Sequence, residues 1–273
     1  LPALEITVGV GNPIGAYLAA LVSAEICSLV AGKTKLDIII LPLLAMLSTA
    51  AVVISLCPPV TWLLNKLSEG IALATEFTPF FMGIVIAAVM GILLTLPTSS
   101  AAIWVAIALN NTSDAMLLAG GAAVVGCCCH MVGFAVMSFR ENGWSGLISQ
   151  GIGTSMLQIP NVMKNPRILI PPTLASAICG PLATCLFKLR CNASGGGMGT
   201  AGLVGVFGTI EASVGAVDTW LLVTGIVLLM FVLPAVLSWL FCLILRKAGW
   251  IKENDLKLEL ASTKKADSVS VSE

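Results

Sequence analysis

Glu211 closes the run Gly205-Val206-Phe207-Gly208-Thr209-Ile210-Glu211, downstream of Gly195-Gly196-Gly197-Met198-Gly199. Glycines allow close backbone approach and a carboxylate accepts hydrogen bonds on two oxygens, so Glu211 with Thr209 beside it suits a hydroxyl-rich ligand. The alternative is an ordinary loop-end carboxylate in water. His130, the one histidine, follows Cys127-Cys128-Cys129, a run that invites a metal reading. Successive residues of a helix turn by about 100°, so the three thiols diverge and no metal site is expected. His130 reads either as a hydrogen-bonding group facing a substrate or as a packed core histidine.

Further polar groups stand beside apolar runs. Glu25 lies within Leu18 to Val30 with apolar residues on every side. A carboxyl at membrane depth is expensive, so it is expected to face the interior, at a functional site or bonded to Ser23, Ser28 or a neighbouring helix. Arg140-Glu141-Asn142 follows a long apolar run and precedes Trp144, which fits a gate, an interface or an ordinary membrane-edge anchor. Gln158 to Arg167 carries Gln158, Asn161, two prolines and two cations, and reads as a gate loop or a basic connector. Thr98 and Ser99 follow Pro97 in a stretch echoed by Pro172 to Ile178. Glu211, Thr209, His130, Gln158, Asn161, Thr98 and Ser99 are therefore the candidate substrate contacts.

The elements that must position these residues are membrane helices. The chain is 58% hydrophobic and 10% charged, with a mean hydropathy of +1.01, against about 25% charged residues in soluble domains. About 20 apolar residues cross a bilayer. Ile14 to Ala31, Ile38 to Cys57, Phe80 to Leu96, Met116 to Phe139, Ile168 to Leu189 and Trp220 to Leu245 qualify, so about six spans are expected, within a range of five to eight. Pro58-Pro59 is expected to stop the second span. Trp62 to Phe77 then repeats apolar residues at helical spacing, as in a helix lying along the interface or packed on the bundle. Ser99 to Leu109, Leu147 to Ile159 and Met198 to Ile210 are too short to cross and are flanked by Pro or Gly, which marks them as re-entrant or broken segments. The fold class is thus an all-α polytopic transmembrane bundle with re-entrant segments.

Residues 1–250 form the transmembrane domain and 251–273 a polar tail, read as disordered beyond about Leu260. Arg246, Lys247 and Lys252 after the last span put the C-terminus in the cytoplasm. No signal peptide is read at Leu1. Eight of the nine cysteines sit in or beside apolar runs, so no disulfide framework is expected. A formal net charge of zero and 6% aromatic residues leave no footprint for nucleic acid. No phosphate loop, zinc-protease helix or serine-hydrolase elbow is present, so no cofactor and no catalytic residues are assigned.

The runs GNPIGAYLAALVSAEICSLVAGKTKLDIIILPL, FFMGIVIAAVMGILLTLPTSSAAI, HMVGFAVMSFRENGWSGLISQGIGTSMLQIPNVMKNPRILIPPTLASAICGPLATCLFK and GGGMGTAGLVGVFGTIEA resemble the phosphotransferase-system enzyme IIC family, in the branch of perfringolysin-regulator-like proteins. The resemblance covers roughly Gly11 to Ala212. It implies a multi-pass protein of the bacterial inner membrane, a homodimer, that carries a sugar-like small molecule. In better-known branches a G-I-T-E motif supplies a substrate-binding glutamate; Gly208-Thr209-Ile210-Glu211 is similar with Ile and Thr exchanged. Those branches also use a membrane histidine, and His130 alone can match it. No phospho-accepting domain is fused here, so phosphorylation would need separate cytoplasmic proteins and the chain is no enzyme by itself. Some relatives are regulators of toxin expression, which leaves a membrane sensor as the alternative function.

Overall fold

A computed structural model describes residues 13–33 and 36–258. The expected disorder beyond Leu260 lies outside these residues. Eleven α-helices follow in order: α1 (Pro13–Val30), α2 (Asp37–Phe77), α3 (Pro79–Thr95), α4 (Ser100–Ala108), α5 (Asp114–Met137), α6 (Phe139–Ile148), α7 (Ile159–Lys164), α8 (Ile170–Pro181), α9 (Val204–Ser213), α10 (Thr219–Ile226) and α11 (Leu233–Lys247). A π-helical stretch, Val227–Val232, joins α10 and α11 into one rod. Among the described residues five helices are long and apolar enough to cross a membrane: Pro13–Val30, Asp37–Phe77, Asp114–Met137, Pro166–Leu186 and Thr219–Lys247. The sixth expected span is α3, with 17 residues. Among the described residues there is no β-strand beyond one isolated bridge, Val214 to Val217.

Pro58-Pro59 does not stop the second span. The 41-residue α2 runs through Pro42, Pro58 and Pro59 without a break. Proline keeps a helical φ and removes only its own hydrogen bond, whereas a loop at that depth would strip the partners from several backbone groups at once. At about 60 Å, α2 is twice the hydrocarbon thickness. Its first part pairs with α1, where Ser48 Oγ meets Ser23 Oγ at 3.0 Å. Its second part crosses the start of α5: Asn110 Nδ2 donates to Asn65 Oδ1 at 3.2 Å and Ser68 Oγ to Met116 Sδ at 3.9 Å. The amphipathic stretch at Trp62 to Phe77 is therefore the packed end of one long helix.

The centre of the bundle is α5, buried on every side along most of its length. It is reached closely because its neighbours are lined with small residues. Gly83, Ala87 and Gly91 recur every fourth residue of α3 and so share one face. A Cβ on Gly126 of α5 would collide with the Ala87 carbonyl, and one on Gly180 of α8 with the Gly83 carbonyl. A Cβ on Gly91 would run into the His130 ring. α3 is thus wedged between α5 and α8 at backbone contact.

α8 runs antiparallel to α5: Pro172 and Thr173 lie beside Gly133 and His130, while Leu189 beyond the end of α8 reaches Gly121. Each helix is followed by a hairpin that turns back into the bundle, so the two helix-plus-hairpin units are inverted relative to each other. The Pro97 and Pro172 echoes mark the starts of α4 and α8 and do not coincide with this pair.

Gly126→Ala is expected to lower stability by about 1–3 kcal/mol, because the added methyl meets backbone that has little room to yield. Gly70→Ala on α2, where nothing lies within 4 Å of the new methyl, should be neutral or stabilising by up to about 1 kcal/mol. Thermal unfolding of the detergent-solubilised protein compares them; equal shifts would contradict the packing described.

Candidate functional site

α5 serves as a ruler for both hairpins. The second hairpin (188–213) comes in from the Asp114 end. There Arg190 pairs with Asp114 through Nε to Oδ1 at 2.6 Å and Nη2 to Oδ2 at 3.0 Å. Cys191 N then donates to Leu117 O at 2.9 Å. Deeper in, Gly199 lies against Cys127, and Thr200 Oγ1 reaches Met131 Sδ at 3.5 Å. The chain reverses in a tight turn in which Gly199, Gly202 and Leu203 take φ of 58°, 52° and 60°. α9 carries it back past Val124, and Ser213 Oγ closes the loop on Arg190 N and O, both at 3.0 Å.

The first hairpin (139–158) comes in from the Met137 end. Gln150 Nε2 donates to Ser138 Oγ at 2.8 Å and Gly151 lies against Ala135. After a π-helical turn, Ser149–Gly153, Ser155 Oγ reaches Thr95 Oγ1 at 3.1 Å. Gln158 then returns to Gln150, Nε2 to Oε1 at 2.8 Å. The two tips touch: Thr200 Oγ1 donates to Gly151 O at 2.6 Å.

His130 stands beside this junction, fully buried, with Phe134 edge-on to its ring. Nδ1 is 2.9 Å from Thr95 Oγ1 and Nε2 is 3.3 Å from Thr173 Oγ1. Thr173 Oγ1 uses its proton on Leu169 O at 2.7 Å. Nε2 therefore donates to Thr173, and on the other side of the ring Thr95 Oγ1 lies within hydrogen-bond distance of Nδ1, Ser155 Oγ and, at 3.3 Å, Gly91 O. The result is a hydrogen-bonded chain, Ser155–Thr95–His130–Thr173, in which both ring nitrogens have a partner. A hydroxyl both donates and accepts, so any link of such a chain can be replaced by a ligand hydroxyl without stranding a partner.

The structure distributes the other candidates differently. Glu211 is exposed on α9, where Oε2 accepts from Asn192 Nδ2 at 2.7 Å. Asn192 Oδ1 in turn accepts from Gly195 N at 2.9 Å. Thr209 is buried, and its hydroxyl goes to its own helix at Gly205 O, 2.8 Å away. Thr98 and Ser99 are exposed; the first bonds Leu93 O and the second caps α4 by accepting from Ala102 N at 3.2 Å. α4, the short segment expected at Ser99 to Leu109, lies inside the bundle with Trp104 buried against Gly196 and Ser100 Oγ donating to Gly197 O at 2.7 Å.

Gln158 and Asn161 point to the Met137 end, where both amides bond backbone carbonyls of the tail. Glu141 and Asn142 sit in the same network, and Arg140 beside them is exposed. Glu25 stands on the outer face of α1 instead of the interior, and its carboxylate has no partner among the described residues. The thiols of the triple-cysteine run diverge: Cys127 packs with Trp104 and Met131, while Cys128 and Cys129 pack with Cys179 and Leu229. Thr95, Ser155, Thr173 and Thr200 were missed by sequence reasoning. Nothing distinguishes them there from the many hydroxyls of membrane helices that bond only their own backbone.

A family model described as "Phosphotransferase system, EIIC" matches residues 3–258. The chain belongs to the phosphotransferase-system EIIC family. No curated protein and no solved structure matches it. This EIIC chain is accordingly the multi-pass membrane component of a phosphotransferase transport system.

Thr200→Val leaves the Gly151 carbonyl without its donor where the tips meet, and should cost about 1–3 kcal/mol in thermal unfolding. Thr98→Val, at an exposed hydroxyl in the bend after α3, should cost less than about 0.5 kcal/mol. Equal costs would mean that the contact between the tips contributes nothing.

Proposed function

We propose that this EIIC protein carries a sugar or sugar-like polyol across the inner membrane, bound where the two hairpin tips close on His130. The observation that carries the reading is the Ser155–Thr95–His130–Thr173 chain, a polar thread at the junction of two oppositely directed hairpins in an apolar bundle. Re-entrant segments converging on a few polar groups are how membrane transporters build a mid-membrane site. The hydroxyls and the imidazole offer both donors and acceptors to the hydroxyl groups of a ligand.

Glu211 and Asn192 lie on the arm of the second hairpin nearer the Asp114 end, and Glu211 supplies the carboxylate that accepts from the bound ligand's hydroxyls on that side of the site. A cavity of about 700 Å³ at that same end, where Glu69, Glu76, Asn111 and Asp114 stand among apolar residues such as Leu73 and Leu118, is an antechamber for such a ligand. The Met137 end faces the cytoplasm, following the basic residues Arg246, Lys247 and Lys252. Separate cytoplasmic proteins supply the phosphoryl group. A second copy of the chain covers the outward apolar face of α1 and α2, where Glu25 would find a partner.

The test is a binding screen of purified protein against sugars, sugar acids and polyols, repeated with Glu211→Gln. An amide keeps one acceptor oxygen where the carboxylate has two, so the variant should weaken binding of the identified ligand by about 1–3 kcal/mol with little loss of thermal stability. Unchanged affinity would take Glu211 out of the site; no binding by any polyol would overturn the substrate class.

A further inference from the structure

Beyond α11, residues 248–258 stay on the bundle. Gly249 turns it at φ 73°, and residues 250–258 run back across the Met137 end. Ile251 and Leu256 bury their side chains among Phe134, Met137, Val162, Ile168 and Cys242. Besides local bonds and those of Trp250 N and Ile251 N to Leu245 O, the backbone of 250–258 is held by side chains of the first hairpin and the segment that follows it. Leu256 O accepts from Asn142 Nδ2 at 2.8 Å and from Gln158 Nε2 at 3.1 Å, and Leu258 N donates to Asn142 Oδ1 at 2.8 Å. Lys257 O accepts from Asn161 Nδ2 at 3.0 Å, and Trp250 O from Asn165 Nδ2 at 3.0 Å. Glu141 Oε1 accepts from Asn254 N at 3.3 Å and pairs with Arg246 Nη2 of α11 at 2.9 Å.

Asn142 stands on the ingoing arm of the hairpin, and Gln158 ends its outgoing arm. Both donate to the same carbonyl, so one residue of the tail bridges the two arms. Gln158 passes the connection on to Gln150, one residue from the tip contact at Gly151. The family match ends at Leu258, the last residue of this network, so the segment belongs to the family's fold and not to a free tail.

We propose that residues 250–258 are a strap that holds the first hairpin shut, and that the site opens at the Met137 end only when the strap is released. This rests on reading the hairpin tips as the gates of the transport site. Withdrawing the tip requires the arms to separate or tilt, and Leu256 O cannot keep both amide donors while they do. The buried amides would then lack acceptors, so release of the strap and opening of the hairpin are coupled.

Hydrogen exchange read by mass spectrometry tests the coupling in the full chain with no ligand present. In Asn142→Ala/Asn161→Ala, exchange in residues 149–155 should rise by about tenfold or more over the parent, with α5 unchanged. A rise confined to 250–258, with the tip as protected as before, would overturn the proposal. Should the double variant loosen α5 as well, a cysteine pair at Asn161 and Lys257 decides. Its disulfide should slow exchange at 149–155 relative to the reduced form of the same protein, and equal rates in the two forms would overturn the strap. Because no sugar enters the measurement, a negative binding screen would retire the transport reading and leave this result standing.

Discussion

Backbone that is not helical cannot face hydrocarbon, so every broken segment of this bundle must find its hydrogen-bond partners in protein. Ser100 Oγ serves Gly197 O, Leu117 O serves Cys191 N, and Thr200 Oγ1 serves Gly151 O. The glycines of the second hairpin follow from the same demand. Gly196 lies against Trp104, Gly197 against the Ser100 carbonyl and Gly199 against Cys127, contacts that a side chain would hold apart. Only by lying this close can the irregular chain exchange its lost water for neighbours. The small-residue face of α3 does the same for the helices, drawing α5 and α8 to backbone contact and leaving His130 over Gly91.

That packing explains why a histidine can stand fully buried at this depth. Gly91 makes room for its ring, Phe134 covers one side, and Thr95 and Thr173 take one nitrogen each. The imidazole is oriented by residues of α3, α5 and α8, and Ser155 of the first hairpin joins through Thr95. Four separate parts of the chain thus converge on one polar thread, and both hairpins end beside it. A ligand with several hydroxyls meets this arrangement on its own terms, since each link it displaces can be remade.

Much of the architecture was legible in the sequence. Apolar length marked the five long helices, and the Pro- and Gly-flanked short pieces at Leu147 to Ile159 and Met198 to Ile210 take in the tips of the two hairpins. The double proline in α2 misled because proline's rule as a helix breaker belongs to water, where the alternative conformation is solvated. The site was legible only in part. His130 stood out as a lone titratable group, whereas Thr95, Ser155 and Thr173 became visible only when α3, the first hairpin and α8 met around it. Gln158 and Asn161 drew notice as polar groups among apolar neighbours, yet their partners are carbonyls of the tail about 100 residues away. A polar sequence after the last span gave no sign that Ile251 and Leu256 would be buried. Glu25 stands on the outer face of α1 because α1 packs mainly on α2, a contact that leaves most of its surface uncovered in a single copy.

The proposed site lies where two hairpins from opposite ends meet beside His130. Backbone hydrogen exchange of both tips, residues 149–155 and 198–203, measured in one sample with and without a sugar that binds, tests this most directly. The account predicts that exchange slows at both tips together when the sugar is present. Slowing at one tip alone, or at neither, would contradict it.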